Sequence, residues 1–211
     1  MADLDTTATT PGASPRIFQI GFNKCGTRTI HNFLDGSGIP SVHYRRGTLA
    51  KIMHKNIQEG RPPLYYLDKW IGYTDIQMVS RFRVIEGCKF YRELAAYYPA
   101  SYFILNTRDK DRWIKSRLEH GGKKLYSNRY RKGLGFNTID EAVAVWSDDW
   151  DRHHDEVPEF FERNGLNLVV YDIEQDSPEK LVEFLAPDFQ TDAKHFGHAG
   201  KSIPADDESE A

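Results

Sequence analysis

Nine consecutive residues, Gly21-Phe22-Asn23-Lys24-Cys25-Gly26-Thr27-Arg28-Thr29, carry most of the chemistry visible in this sequence. A loop of this composition between a strand and a helix holds phosphate. Glycines let successive backbone N–H groups point inward, and a helix N-terminus adds partial positive charge. Lys24 adds a full charge, and Thr27 and Thr29 add hydroxyl donors. The pattern Gly-x-x-x-x-Gly of a nucleoside-triphosphate loop runs from Gly21 to Gly26. That loop continues with Lys, for the β/γ-phosphates, and then Ser or Thr, for Mg²⁺. Here Thr27 and Arg28 follow instead, and the lysine stands ahead of the second glycine. The ammonium then meets the distal end of a shorter anion, and no hydroxyl follows it to hold a metal. The loop implies phosphate chemistry without a triphosphate–metal requirement. A plain strand-to-helix turn with an incidental lysine is the bland alternative.

A second group stands after the apolar run Tyr102-Phe103-Ile104-Leu105, which ends at Asn106-Thr107-Arg108. An arginine at the C-terminal end of a parallel strand lies where open α/β sheets bind ligands. Ser116 falls about two turns into the helix that follows. Arg108 and Ser116 could share one phosphate, the arginine through a forked charge-assisted contact.

The elements that must position these groups alternate along the chain. Strands are expected near 17–22, 40–44, 72–76, 102–107 and 167–172, and helices near 27–36, 46–59, 88–98, 109–120, 139–164 and 177–186. Alternation of this kind implies an α/β protein with a parallel sheet covered on both faces. By analogy with P-loop folds, the expected architecture is a three-layer, P-loop-like fold with about five parallel strands in the order 2-3-1-4-5. At 211 residues and 39% hydrophobic, the chain can bury one sizeable core. The expected organisation is a disordered segment at 1–15, one domain at 16–204 and an acidic disordered tail at 205–211.

Lys24-x-Gly26-Thr27-x-Thr29 resembles the 5′-phosphosulfate loop of the sulfotransferases, and Arg108 with Ser116 eight residues later resembles their 3′-phosphate site. Lys24 to Arg28 is similar to the glycan-modifying branch. Phe90-Tyr91-Arg92-Glu93-Leu94, Tyr98-Pro99 and Arg112-Trp113 resemble compact sulfotransferase-like proteins. The resemblance runs from about Ile17 to Ser116 and is faint beyond. It implies 3′-phosphoadenosine 5′-phosphosulfate (PAPS) as donor, 3′-phosphoadenosine 5′-phosphate (PAP) as product, no metal, and a hydroxyl or amine of a small-molecule, glycan or lipid acceptor. It implies donor binding by Lys24, Cys25, Gly26, Thr27, Arg28, Thr29, Arg108 and Ser116, with Lys24 stabilising the leaving oxygen. A late turn with Gly200 and Lys201 is similar to one that closes over the 3′-phosphate in some members, and reads equally as a surface loop. Two features depart from the pattern. Thr29-Ile30 offers no Trp to stack on adenine. Where many members carry a catalytic His, this chain has Gly72-Tyr73-Thr74-Asp75. Asp75 is then the expected base, with His43, at the end of the second strand, as the alternative.

A net charge of −3 argues against general nucleic-acid binding. Between Arg108 and Lys132, ten Lys/Arg stand against three Asp/Glu, a rim that would attract anions or simply a solvated surface. Two cysteines are too few for a disulfide framework and suggest a reducing compartment. No 18-residue apolar stretch implies a membrane span and no signal-peptide core is seen, so a soluble, cytoplasmic enzyme is expected. His153-His154 are adjacent in a helix and do not share a face, which argues against a metal pair. Trp146 and Trp150 read as core. Cys25 reads as a small loop residue more than a nucleophile. Tyr65, Tyr66, Trp70, Tyr126 and Tyr130, in loops 44–70 and 121–138, suit an acceptor ring or packing. Two rival functions stay open: a P-loop kinase or nucleotide hydrolase with Asp75 on magnesium, and a non-catalytic nucleotide-binding protein on the same fold.

Overall fold

The computed structural model describes residues 14–122 and 124–197. From the N-terminus, β1 (Ile17–Gln19) passes through the glycine loop into α1 (Thr27–Gly36), and β2 (Ser41–His43) leads to α2 (Thr48–Gln58). Then β3 (Gly72–Thr74) is followed by the hairpin β4 (Gln77–Val79) and β5 (Val84–Glu86), and by α3 (Tyr91–Tyr97). Next, β6 (Tyr102–Thr107) feeds α4 (Lys110–Glu119), α5 (Leu125–Gly133) and α6 (Ile139–Arg163), and β7 (Asn167–Asp172) feeds α7 (Glu179–Leu185). The expected late turn with Gly200 and Lys201, the tail 205–211, and all but the last two residues of segment 1–15 lie outside the described residues.

The sheet order is β2-β3-β1-β6-β7 with every neighbour parallel. Counting sheet strands alone, this is the expected 2-3-1-4-5. The period of two along each strand divides the core. Phe18, Val42, Tyr73, Phe103 and Leu105 face α2, α3 and α6 on one side. Ile17, Tyr102, Ile104, Val169 and Tyr171 face α1 and α7 on the other. A third cluster lies beyond the C-terminal strand edge, where Phe22 and Cys25 of the glycine loop pack on Trp113, Tyr126, Tyr130, Trp146 and Trp150. This third core fixes the height of the loop above the sheet.

Two elements differ from the sequence reading. Residues 77–86 form an antiparallel hairpin, separate from the main sheet. The segment expected as an acceptor-lining loop contains α5, whose Tyr126 and Tyr130 are buried. β1 also stops at Gln19 rather than at residue 22, because the Asn106 side chain replaces the ladder: Gly21 N donates to Asn106 Oδ1 at 3.0 Å. Among the described residues, no helix is long and apolar enough to cross a membrane.

Gly21 is required by this closeness. A Cβ there would stand 2.0 Å from Asn106 O and 2.3 Å from Asn106 Oδ1. Gly21→Ala should therefore lose about 2 kcal/mol or more in urea unfolding, as the loop is pushed off β6. A loss within experimental error would show that the loop is not held at this distance.

Candidate active site

The glycine loop is held from behind. Its consecutive carbonyl groups each accept from a side chain of β6, of α4 or of the short link between them: Asn23 O from Trp113 Nε1 (2.9 Å), Lys24 O from Arg108 Nη1 (3.2 Å) and Cys25 O from Asn106 Nδ2 (2.6 Å). In a planar trans peptide the carbonyl and the next N–H point in opposite directions. Fixing these three carbonyls turns the N–H groups of Lys24, Cys25 and Gly26 away from those donors. Positive φ at Lys24 (68°) and Gly26 (76°) gives the loop its curl. α1 begins directly after it with no side-chain cap, so its first-turn N–H groups are left for another acceptor. Backbone donors and a helix N-terminus together form an anion cradle.

Lys24 is half-buried at this cradle, and its ammonium has no hydrogen-bond or ion-pair partner among the described residues. Burial pulls its pKa below the ordinary lysine value, Asp75 pulls the other way, and Arg28 and Arg108 lower it further. Thr27 is buried, Thr29 half-buried and Arg28 exposed. Cys25 is fully buried, and burial pushes its thiol far up, which removes it as a nucleophile.

Asp75 follows β3 with φ of 50°, a strained value for a non-glycine residue. The strain is held by Gln19, whose Oε1 accepts from Asp75 N (2.8 Å) while its Nε2 donates to Gly21 O (2.6 Å) and to Asn106 Oδ1. One buried amide thus ties the Asp75 turn to the glycine loop. Gln77 Nε2 donates to Asp75 Oδ1 at 3.0 Å. Burial raises the Asp75 pKa to about 6, against the pull of Arg117, Lys24 and Arg28.

His43 Nε2 stands 3.6 Å from Asp75 Oδ2. Burial, with His31 and Arg28 nearby, lowers the His43 pKa to about 3, so the ring is neutral and this contact is not an ion pair. Thr74 Oγ1 donates to Val42 O (3.1 Å) and therefore accepts from His43 Nδ1 (3.0 Å). That tautomer leaves Nε2 as an acceptor facing a carboxylate. Two acceptors at this separation suit a shared proton. The structure brings together both groups that the sequence offered as alternatives.

Arg108 leaves the end of β6, with Nη2 on Glu174 Oε1 at 2.5 Å and Nε buried without a partner. Glu174 also holds Arg112 at 3.4 Å. Ser116 is half-buried on α4, its hydroxyl makes no hydrogen bond among the described residues, and no hydrogen bond joins it to Arg108. Beyond β2, Tyr44, Arg45 and Arg46 all have positive φ, between 50° and 53°. Strain of this kind gathers at functional edges.

Sequence reasoning missed four residues that build the site. Gln19 and Asn106 are amides inside apolar runs, and a buried amide must find partners, so the signal was present. Arg117 is 1% exposed. Its Nη2 pairs with Glu86 Oε1 (2.7 Å) and its Nε donates to Asn23 Oδ1 (2.8 Å), inside a ring of Phe22, Trp113, Tyr126, Tyr130 and Trp146. His120 follows α4 against Tyr126, its pKa lowered to about 4 by burial and then by Lys24, Arg117 and Arg28. His153 Nε2 donates to Ile20 O at 2.7 Å, and burial lowers its pKa to about 4, a neutral packing role. Among the described residues, no cluster of three or more His, Cys, Asp or Glu is placed to hold a metal ion.

A family model described as a sulfotransferase domain matches residues 16–146, which include the cradle, Asp75, Arg108 and Arg117. No curated protein matches the chain. Among solved structures, an unliganded sugar kinase from Janibacter sp. HTCC2649 is 12% identical, with 83% of this chain and 94% of that chain covered and a TM-score of 0.38, too low to bear on the site.

Asp75 makes stability depend on pH. Its carboxyl ionises near pH 6 when folded, against an ordinary 3.8. Between those values the folded state holds the proton more firmly, so stability falls as pH rises from about 4 to 6 and stays lower above that. Asp75→Asn removes this loss. Its stability relative to the parent, from urea unfolding, should be more favourable at pH 7.5 than at pH 4 by on the order of 1–3 kcal/mol. Any backbone relief from the substitution is independent of pH, so an equal difference at both pH values would remove the buried charge as its cause.

Proposed function

The chain belongs to the sulfotransferase domain family, and we propose that it moves a sulfuryl group from PAPS to a hydroxyl or amine of a small-molecule, glycan or lipid acceptor. The observation that carries this reading is the unpartnered Lys24 ammonium beside backbone donors that are held open by Trp113, Arg108 and Asn106. The fit to a nucleotide phosphosulfate rests on donor chemistry. The cradle offers N–H groups without acceptors, and Arg108 Nε is a buried donor without one. PAPS would supply the sulfuryl group and a phosphate leaving group.

In this reading the loop amides, Thr27 and Thr29 hold the 5′-phosphate, with Cys25, Gly26 and Arg28 contributing backbone. Lys24 answers the negative charge that builds on the bridging oxygen, a charge larger in the transition state than in the ground state. Arg108 and Ser116 take the 3′-phosphate, the arginine exchanging part of its contact with Glu174. Asp75 accepts the acceptor's proton. Its pKa of about 6 leaves it ionised at neutral pH and still basic enough to act. His43 Nε2, 3.6 Å away, helps to orient the reacting hydroxyl or amine. No metal has a role.

Thermal-shift measurements with PAP, AMP and ATP, each with and without Mg²⁺, test the reading, together with kcat and the PAP dissociation constant of Lys24→Ala. PAP should stabilise the protein without metal and more than AMP does. Lys24→Ala should lower kcat by about 10²-fold or more while weakening PAP far less. Stabilisation by ATP that requires Mg²⁺, with no preference for PAP, would favour a kinase or hydrolase instead. Specific PAP binding with no turnover on any acceptor would favour a non-catalytic nucleotide-binding protein.

A further inference from the structure

Asp75 borders a small cavity lined also by Gly21, Asn23, Gln77, Glu86 and Arg117, among others. The room it leaves to the centre of a water is about 10 Å³, close to the ~10–15 Å³ at which one water fits. Two polar atoms of its lining residues, Arg117 Nη1 and Asn23 Nδ2, are buried donors with no partner. Their side chains are 1% and 6% exposed. A buried donor left without an acceptor costs about 1–3 kcal/mol, so two on residues lining one cavity require explanation.

The acceptors nearby are already used. Glu86 Oε1 takes Arg117 Nη2, Glu86 Oε2 takes Tyr130 (3.0 Å) and Lys89 (3.1 Å), and Gln77 Oε1 takes Tyr126 (3.1 Å). Nor can the Asn23 amide be turned round. Arg117 Nε–H can only donate, so the oxygen of Asn23 must face it and the nitrogen must point elsewhere. Asp75 also lines the cavity: its Oδ1 takes Gln77 Nε2, its Oδ2 takes no donor among the described residues, and no hydrogen bond joins it to Arg117. Even so, Arg117 pulls on the Asp75 carboxylate more strongly than any other nearby charge.

We propose that one ordered water fills this cavity, accepts from Arg117 Nη1 and Asn23 Nδ2, and donates to the Asp75 carboxylate, which makes Arg117 a positioning residue that holds Asp75 ionised and aimed. A water with two donors and one acceptor around it matches the usual coordination of buried water. The arrangement also explains a costly feature. A buried Arg–Glu pair is often no better for stability than apolar residues of the same volume, and here Arg117, with Nη1 left free, lines a cavity it shares with Asp75. The catalytic consequence rests on the reading of Asp75 as proton acceptor; the water site does not. Asp75 is also faced by Lys24 of the loop, Arg28 of α1, His43 of β2 and Tyr126 of α5, and each is unchanged in the variants below.

The test combines a high-resolution crystal structure with a ¹³C NMR titration of the aspartate carboxyl groups. The crystal should show a water within about 3.2 Å of Arg117 Nη1, Asn23 Nδ2 and an Asp75 oxygen. In Arg117→Lys, which keeps the charge but has no fork, the Asp75 midpoint should rise by roughly one pH unit, about a tenfold gain in proton affinity. Cys88→Leu, which fills the cavity from another wall and leaves the Arg117–Glu86 pair in place, should shift it in the same direction. The acidic limb of the kcat–pH profile should move with it. A dry cavity in the crystal overturns the proposal, as does an Asp75 midpoint that stays fixed in whichever variants fold. The titration reads the carboxyl without turnover, so failure to find sulfuryl transfer would sink the functional reading and leave this one standing.

Discussion

Three carbonyl groups in a row, on Asn23, Lys24 and Cys25, are each bonded from behind by a side chain of another segment. Everything else at the site depends on that constraint. A glycine loop is free to present either its N–H or its C=O groups to a ligand, and only one choice binds anions. Trp113, Arg108 and Asn106 make the choice at the folding stage, before any ligand arrives, so ordering the loop costs little at binding. The same constraint sets the position of Lys24, whose φ of 68° is tolerated because its carbonyl is held.

Charge is arranged around that loop in two layers. The outer one is the exposed Arg28 with the half-buried Lys24 and Arg108. The inner one is the buried pair of Arg117 with Glu86, linked through the exposed Lys89 to Asp149 at 2.6 Å. Burial pushes the Glu86 carboxyl up, but Arg117 and Lys89 overcome it and hold its pKa at about 2. Asp75 stands between the layers. Its pKa of about 6 is the balance between a dry environment and the cations on either side. A carboxylate in water would be a weaker base, and one buried without cations would stay protonated at pH 7.

The parts legible in the sequence were those whose signal is local. The helix positions outside α5, the glycine loop and the strand-end Arg108 each follow from a run of residues that can be read without knowing its neighbours, whereas the strand order came from analogy with P-loop folds. What was not legible depends on distant partners. Gln19 and Asn106 look like single polar lapses in buried strands, and their role appears only when β1 and β6 lie side by side. The sequence Leu125-Tyr126-Ser127-Asn128-Arg129-Tyr130 lacks an apolar stripe, because α5 packs its two tyrosines on the Arg117–Glu86 pair rather than on aliphatic core. The hairpin strands β4 and β5 are three residues each, too short for a period to show. Arg117 sits four residues after Trp113 in a helix dense with charge, and nothing local marks it as the one that is buried.

Amide chemical shifts would test the loop assignment most directly. In a ¹⁵N-labelled sample titrated with PAP in the absence of metal, the N–H groups of Lys24, Cys25, Gly26, Thr27, Arg28 and Thr29 should move together and further than any others, with a downfield component from hydrogen bonding to phosphate. If PAP binds and these amides stay in place while others move, the cradle held by Trp113, Arg108 and Asn106 is not where the nucleotide's phosphate sits, and the account of the site fails.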